Sequence, residues 1–168
     1  MKWVQQLLLA IIAFLLSGIF TNLTAQPDGG IFYHLTTANG LSSNRTTSVI
    51  QDRQGFYWIA TLDGLNRFDG STCKVFQHNE DDSISLSHNS CDHLLEDNRG
   101  DIWIGTLMGL NRYKGDGTFE RFYFYNPAEN FERVNWVRGL IKDDAGNIWI
   151  TSYGLWQYNI YTGKWTLV

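Results

Sequence analysis

The stretch DRQGFYWIATLDGLNRF, residues 52–68, is the first of three similar copies in the chain and indicates how the chain folds. The second copy is DNRGDIWIGTLMGLNRY, residues 97–113, and the third is DDAGNIWITSYGLWQY, residues 143–158. Each copy places an acid, a glycine and a tryptophan at matching positions, a combination that could also form a catalytic site. Because a catalytic motif normally occurs once in a domain, the repetition indicates that these residues build structure.

The repeat length and the strand pattern indicate the architecture. Successive copies are about 45 residues apart, and repeats of 40–50 residues with several strands each are typical of β-propeller blades. In the first copy, TTSVIQ, FYWIAT, LNRFD and CKVFQH are rich in β-branched and aromatic residues, which predicts four strands. The segment DRQG predicts a tight turn between the first two strands, in which the acid accepts backbone N–H groups. The matching turn acids are Asp52, Asp97 and Asp143.

Consecutive apolar residues place the first strand of each unit at the centre of the predicted propeller. Such pairs, for example Val49-Ile50, predict burial on both faces of a strand that lies between two packed blades. An asparagine also recurs eight residues before each acid, as Asn44, Asn89 and Asn135. The N-x-T sequon at Asn44 is therefore interpreted as part of the repeat and not as a glycosylation site.

We therefore predict an all-β chain, a β-propeller fragment of three four-stranded antiparallel blades whose ring is not closed in this chain. The blade units are predicted at about residues 41–85, 86–131 and 132–168, after a lone strand at residues 31–36. A propeller needs at least four blades to close, so we expect the chain to be the N-terminal part of a longer protein. The third blade is predicted to be incomplete, and no helix is expected after residue 25. The repeat tryptophans are predicted to occupy equivalent, largely buried positions: Trp58, Trp103 and Trp149.

The first 25 residues differ from the repeats. The segment from Leu7 to Phe20 is one apolar run of 14 residues, which is short for a membrane-spanning helix of about 20 residues. The run predicts a secretory signal peptide over residues 1–25, with an uncleaved N-terminal anchor as the alternative. The mature domain would then comprise residues 26–168, exported to the periplasm.

Charge and cysteine content argue against several functions. The formal net charge is −4 and the chain contains no run of lysine and arginine, which argues against a nucleic-acid partner. The acidic segment 79–83 lacks the glycine and the final acid of an EF-hand loop, so no metal site is predicted. Cys73 and Cys91 fall on an outermost and an innermost strand, beyond disulfide reach, and are predicted to be buried thiols. No cofactor is predicted.

The repeats resemble a known family. The segments GLSSN and VIQDRQGFYWIATLDGLNRFDG, residues 40–44 and 49–70, are similar to the two-component regulator propeller repeat. Units of that family read D-x-x-G-x-[aromatic or aliphatic]-W-[IV]-[GA]-T-x-x-G-L-x-R-[FY]. The resemblance extends over residues 31–168. The third copy departs from it, because it has one residue fewer between Trp149 and Gly154 and carries Trp-Gln in place of Asn-Arg.

This resemblance implies the periplasmic sensor region of a hybrid two-component histidine kinase, which detects oligosaccharides and signals by phosphorelay. The full-length form is implied to be dimeric and anchored in the inner membrane. This chain lacks the kinase region, so the chain itself is expected to have no enzyme activity.

Residues that depart from the repeat on one rim are the candidates for ligand contact. That rim carries two long loops, residues 77–89 and 124–135, and the turns between second and third strands. Aromatic side chains there could stack on sugar rings, and polar side chains could add hydrogen bonds. Packing against the next blade is the alternative for the aromatic residues, and a solvated rim charge is the alternative for the others. Six ligand-binding residues are predicted: Trp136, Tyr153, Trp156, Arg45, Asp63 and Arg138.

Two other functions stay open at the level of the sequence. One is an exported propeller scaffold for protein–protein interaction. The other is a sialidase-like glycoside hydrolase, whose box reads D-x-G-x-x-W where this chain has D-x-x-G-x-x-W. Glycoside hydrolysis needs a pair of carboxylates, and no pair outside the repeat stands out, so no catalytic residue is predicted.

Overall fold

The computed structural model describes Trp3, residues 34–126 and residues 128–168. Nearly all of the predicted signal peptide, and residues 31–33 of the predicted lone strand, lie outside the described residues. The remainder of that segment, residues 34–36, forms no strand. In the part of the chain that is described, no helix is long and apolar enough to cross a membrane.

Residues 46–167 form three sheets of four strands, and each sheet is antiparallel and hydrogen-bonded in chain order. The first blade contains β1 (Thr46–Gln51), β2 (Tyr57–Thr61), β3 (Gly64–Phe68) and β4 (Cys73–Phe76). The second contains β5 (Cys91–Glu96), β6 (Ile102–Thr106), β7 (Gly109–Tyr113) and β8 (Phe119–Phe122). The third contains β9 (Gly139–Lys142), β10 (Asn147–Ser152), β11 (Gly154–Asn159) and β12 (Lys164–Leu167). The predicted fold of three four-stranded blades is confirmed, and none of these sheets closes into a ring.

The third blade has all four strands, so the prediction that it is incomplete is wrong. β12 pairs with β11, with Trp156 opposite Leu167 and Tyr158 opposite Trp165. The segment KWTL is shorter than the corresponding CKVFQH of the first unit, yet its β-forming residues are sufficient to pair along β11.

The prediction of no helix after residue 25 is also wrong. A short 3-10 helix spans Thr37–Asn39, and an α-helix, α1, spans Phe131–Asn135. The side chain of Asn130 accepts the backbone N–H groups of Glu132 and Arg133, which satisfies two of the donors left unpaired at the helix start. A helix of five residues is too short to produce a helical periodicity in the sequence.

The repeated acid forms the turn, as predicted. In the second blade, Asp97 Oδ1 accepts the backbone N–H groups of Arg99 and Asp101 at 2.8 and 3.1 Å. Its Oδ2 accepts the indole N–H of Trp103 at 2.8 Å. The first and third blades contain the same bond from acid to tryptophan. The acid thus joins the turn between two strands to the tryptophan of the core.

Each hydrophobic core lies between two neighbouring blades. Trp58 of the first blade packs against Tyr113 of the second with ring centroids 4.9 Å apart, and Trp103 packs against Tyr158 of the third at 5.2 Å. Trp58 and Trp103 are buried, whereas the equivalent Trp149 is half-buried. Because the following blade covers each tryptophan, Trp149 stays partly open where no further described blade lies over it.

The inner strands are β1, β5 and β9, which pack against one another from blade to blade. The prediction that all three are buried on both faces is wrong for β1 and β9. Val49 on β1 and Ile141 on β9 are 62% and 65% exposed, whereas Leu94 on β5 is buried. Only β5 is flanked by a described blade on each side, so only β5 has both faces covered.

Both cysteines are free thiols. Cys91 on β5 is buried, and this burial raises the pKa of its thiol to about 12. Cys73 on β4 is half-buried, and burial together with the neighbouring Asp69 raises its pKa. Neither thiol is therefore activated as a nucleophile, since nucleophilic reactivity requires the thiolate.

Candidate functional site

A cavity of about 760 Å³ lies between the second blade and the connection that leads into the third. Small-molecule sites have volumes of about 300–1,000 Å³, so the cavity has room for such a ligand. Its wall combines apolar and charged side chains, which suits a polar ligand with apolar faces. The lining residues are His88, Leu107, Met108, Asn130, Glu132, Arg133, Trp136 and Arg138.

A directed chain of hydrogen bonds holds the turn that carries Leu107 and Met108. The Asn111 amide donates to Ser87 Oγ at 2.8 Å, and the Thr106 hydroxyl donates to Gly109 O at 2.9 Å. The Ser87 hydroxyl must therefore donate to Thr106 Oγ1, 2.9 Å away, because the proton of that threonine is already used. Thr106 Oγ1 also accepts the backbone N–H of Met108 at 3.1 Å. These buried contacts fix one wall of the cavity on the second blade.

The repeat asparagine fixes the opposite wall. Asn135, at the end of α1, accepts the Phe124 backbone N–H at 2.7 Å and donates to the Phe124 and Phe131 carbonyls at 3.1 and 2.8 Å. Asn44 and Asn89 accept backbone N–H groups from earlier residues in the same way. The asparagine thus fastens the connection between blades, which agrees with its interpretation as part of the repeat.

Trp136 follows α1 and is 40% exposed. Its indole N–H donates to Asp92 Oδ2 at 3.0 Å, and the Arg138 guanidinium lies 4.6 Å from the ring centroid. The backbone N–H of Arg138 donates to Thr151 O at 2.7 Å, which ties this segment to β10. The indole is therefore held in one orientation, at the surface of the cavity, by an acceptor and a stacked cation.

A second aromatic residue, Tyr153, contacts an arginine of the cavity wall. The Tyr153 hydroxyl donates to Glu129 Oε1 at 2.6 Å, and this bond and the carboxylate charge raise the pKa of Tyr153. Arg133 forms an ion pair with Glu129 at 3.6 Å, and its guanidinium lies 5.5 Å from the Tyr153 ring centroid. Arg133 lines the cavity, so Tyr153 supports a residue of the wall without lining the cavity itself.

His88 is a neutral member of the wall. Burial, and then the nearby His78, lower the pKa of His88, although Asp92 and Glu132 act in the opposite direction. Its Nδ1 accepts the backbone N–H of Ser90 at 2.9 Å, which requires an unprotonated Nδ1. The ring therefore carries its proton on Nε2, which makes Nε2 a hydrogen-bond donor in the wall of the cavity.

The structure brings two of the six predicted ligand residues, Trp136 and Arg138, into this cavity. Trp156 lines a different cavity of about 420 Å³ and packs against Phe124 with ring centroids 5.2 Å apart. Arg45 and Asp63 lie on the first blade, where Asp63 accepts the Asn89 side-chain amide at 3.2 Å. The six residues therefore do not form one site.

Sequence reasoning missed Arg133 and His88 as members of the cavity wall. Arg133 stands two residues before the repeat asparagine, where the first two units have Ser42 and Ser87. That departure from the repeat is visible in the sequence and could have indicated Arg133. His88 stands one residue before the repeat asparagine, where the other units have Ser43 and Val134, so it also departs from the repeat. Among the described residues, no group of histidine, cysteine or acidic side chains is arranged to hold a metal ion.

The chain is similar to known propeller proteins of two-component systems. Residues 40–63 and 85–108 match the two-component regulator propeller family. The extracellular domain assigned to a hybrid two-component system of B. thetaiotaomicron superposes with a TM-score of 0.69 and 32% identity, covering 81% of this chain and 20% of that domain's chain. A second such domain from the same organism has a TM-score of 0.58 and 27% identity, covering 71% and 17%. The chain is a β-propeller region of the kind found in hybrid two-component sensor systems.

The first two repeats contain the segments that match the two-component regulator propeller, in agreement with the sequence resemblance. A curated relative, histidine kinase P4 of Formosa agariphila, is 40% identical over 73 residues, which are 44% of this chain and 5% of that protein. The chain therefore spans a fifth or less of the relatives described here. The solved relatives are extracellular domains, which agrees with an extracellular or periplasmic position for this region.

Proposed function

We propose that this chain is part of the ligand-sensing region of an exported hybrid two-component histidine kinase, and that its ligand is an oligosaccharide. In this proposal the region lies in the periplasm, and the full-length protein is a dimer anchored in the inner membrane. The propeller binds the ligand, and phosphorelay chemistry takes place outside residues 34–168. The chain itself performs no catalysis.

The observation that carries the proposal is the position of Trp136. The first two repeats have Arg45 and Ser90 at this place, so the indole is not required by the fold. It is nevertheless held in a fixed orientation and remains 40% exposed beside a cavity of about 760 Å³. An aromatic side chain that is ordered and still exposed provides the flat apolar surface on which a sugar ring can stack.

The polar residues of the wall supply the remaining contacts. His88 offers a donor at Nε2, Arg133 and Arg138 offer guanidinium donors, and Glu132 offers an acceptor. A saccharide hydroxyl can both donate and accept, so such a mixed set matches its chemistry. Leu107 and Met108 provide apolar surface opposite these groups.

Calorimetric titration with a panel of short neutral and uronic-acid oligosaccharides tests the proposal. We expect Trp136→Ala to weaken binding of the best ligand about tenfold, the loss of one stacking contact, and Trp136→Phe to retain most of the affinity. The matched control is Tyr57→Ala, because Tyr57 is 41% exposed on β2 and lies outside the cavity.

Equal affinity of the Trp136→Ala variant and the unmodified protein would place the saccharide elsewhere. Failure of every oligosaccharide to bind the folded protein would remove saccharides as the ligand class. The propeller fold and the family assignment would stand in either case, because they do not depend on the ligand.

A further inference from the structure

A second cavity lies between the first and second blades, at the end that carries the acid–glycine turns. Its volume is about 320 Å³, which is small for an oligosaccharide. Asp52, Arg67, Asp101 and Lys114 are among its lining residues. This cavity shares no lining residue with the Trp136 cavity, and the inference drawn from it does not rest on the proposed function.

The repeat shows what is unusual about Arg67. The equivalent arginine of the second blade, Arg112, is paired with Glu120 across the strands and also lies 3.7 Å from Asp101. In the first blade, the residue opposite Arg67 is Lys74, which stands in the place of Glu120. A cross-strand pair of opposite charge has therefore been replaced by a pair of like charge, which is destabilising unless an anion is nearby.

Arg67 has no carboxylate within ion-pair distance among the residues that the structure describes. Its guanidinium lies 4.7 Å from the Phe56 ring centroid and 5.8 Å from that of Trp58, and it donates a long hydrogen bond of 3.4 Å to the Tyr113 hydroxyl. These contacts hold the guanidinium in place and leave most of its five N–H donors free.

Arg99 and Lys114 are two further cations in the lining of this cavity. Lys114 lines it and makes only a 3.4 Å contact with Glu120, whose stronger bonds go to Arg112. The Lys74 ammonium is not part of the lining but lies close to the neighbouring turn, since a Cβ added to Gly117 would be 3.5 Å from its Nζ. The chain carries a net charge of −4, so this local excess of positive charge is not a general property of the surface.

The two acids that line the cavity are already engaged. Asp52 accepts the backbone N–H groups of Gln54 and Phe56, both at 2.9 Å, and the Trp58 indole N–H at 2.7 Å. Asp101 lies 3.7 Å from the Arg112 guanidinium. Neither carboxylate forms an ion pair with Arg67.

We propose that this cavity binds a tetrahedral oxyanion, sulfate or phosphate, either as the free ion or as an ester group of a small molecule. Arg67 binds the oxyanion through its guanidinium, and Arg99 and Lys114 of the lining, with Lys74 opposite Arg67, neutralise it. An arginine fork matches the geometry of tetrahedral oxyanions, and lysine ammonium groups add charge without further geometric demands.

Titration calorimetry of the full chain with sodium sulfate, sodium phosphate and glucose 6-phosphate tests the proposal, with sodium chloride keeping the ionic strength constant. Glucose alone is the reference for the ester. We expect Arg67→Gln to weaken oxyanion binding at least about tenfold, because it removes charge-assisted hydrogen bonds. Binding of the inorganic ions identifies the free ion as the ligand, and binding of glucose 6-phosphate alone identifies the ester.

The variant Lys74→Glu is the sharper test. It gives Arg67 the carboxylate that Arg112 already has, so it should abolish oxyanion binding while the protein stays folded by circular dichroism. Lys142→Glu makes the same change of charge at an exposed position on β9 and should leave the affinity within about twofold. Equal losses in Lys74→Glu and Lys142→Glu, or no oxyanion binding at constant ionic strength, would overturn the proposal.

Discussion

Trp58 of the first blade meets Tyr113 of the second edge to face, with ring centroids 4.9 Å apart and ring planes at 61°. The same contact recurs one blade further along, between Trp103 and Tyr158. Each tryptophan is also bound at its indole N–H by the turn acid of its own blade. The repeated acid and tryptophan therefore connect three levels of structure: a tight turn, a sheet and the packing of one blade on the next.

Substitution of the turn acid should lower the stability of the fold and leave ligand binding unchanged. Asp97→Asn replaces the oxygen that accepts the Trp103 indole N–H with an amide group, or reverses the amide and loses the backbone bonds. We expect a loss of about 1–2 kcal/mol in the free energy of unfolding, measured by urea denaturation. Asp116→Asn, at an exposed surface turn, is the control and should cost less. A folded Asp97→Asn variant that no longer binds its ligand would instead indicate a binding role for the acid.

The stability of the protein at low pH should depend on Asp143. Hydrogen bonds from Asn147 and Trp149 lower its pKa from 3.8 to about 2. A lowered pKa in the folded state means that the ionised group stabilises the protein above pH 3.8, and that this stabilisation is lost as the pH falls toward 2. The difference in unfolding free energy between the unmodified protein and Asp143→Asn should therefore shrink over this interval, measured by urea denaturation at several pH values. Asp144→Asn is the neighbouring control, and a difference that stays constant from pH 5 to about 2 would contradict the assignment.

The contact between the second and third blades leaves no room for a side chain at Gly105. A Cβ added there would lie 2.6 Å from Val137 Cγ1, so we expect Gly105→Ala to lower the free energy of unfolding by about 1–3 kcal/mol. Val137→Ala removes the clashing methyl group, and the double variant should lose less than the sum of the single variants. Thermal unfolding of the three variants measures this coupling, and strict additivity would show that the two blades do not meet at these residues.

Much of the fold could be predicted from the sequence because the same motif occurs three times. Strand order, the turn acids and the position of the core tryptophans follow from matching residues between copies. The α1 helix could not be predicted, since five residues show no periodicity and its start depends on one capping side chain, Asn130. The exposure of Val49 and Ile141 could not be predicted either, because apolar composition does not indicate whether a neighbouring blade covers a strand.

The candidate site could be predicted only where it departs from the repeat. Trp136 occupies a position that holds no aromatic residue in the other units, and it lines the cavity. Trp156 on β11 also departs from the repeat, yet it packs against Phe124, which follows β8 of the second blade. A departure shows that the fold does not dictate the residue, but the neighbouring blade decides whether the side chain packs or meets solvent.

If an oligosaccharide binds beside Trp136, the indole N–H resonance of that residue should respond to it. The chain has seven tryptophans, and comparing ¹⁵N-correlated NMR spectra of the unmodified protein and Trp136→Phe assigns the resonance of Trp136. On titration with the oligosaccharide that binds best, we predict that this resonance shifts with saturation while those of the buried Trp58 and Trp103 stay in place. A saturating shift of other indole resonances with no change at Trp136 would place the oligosaccharide away from Trp136.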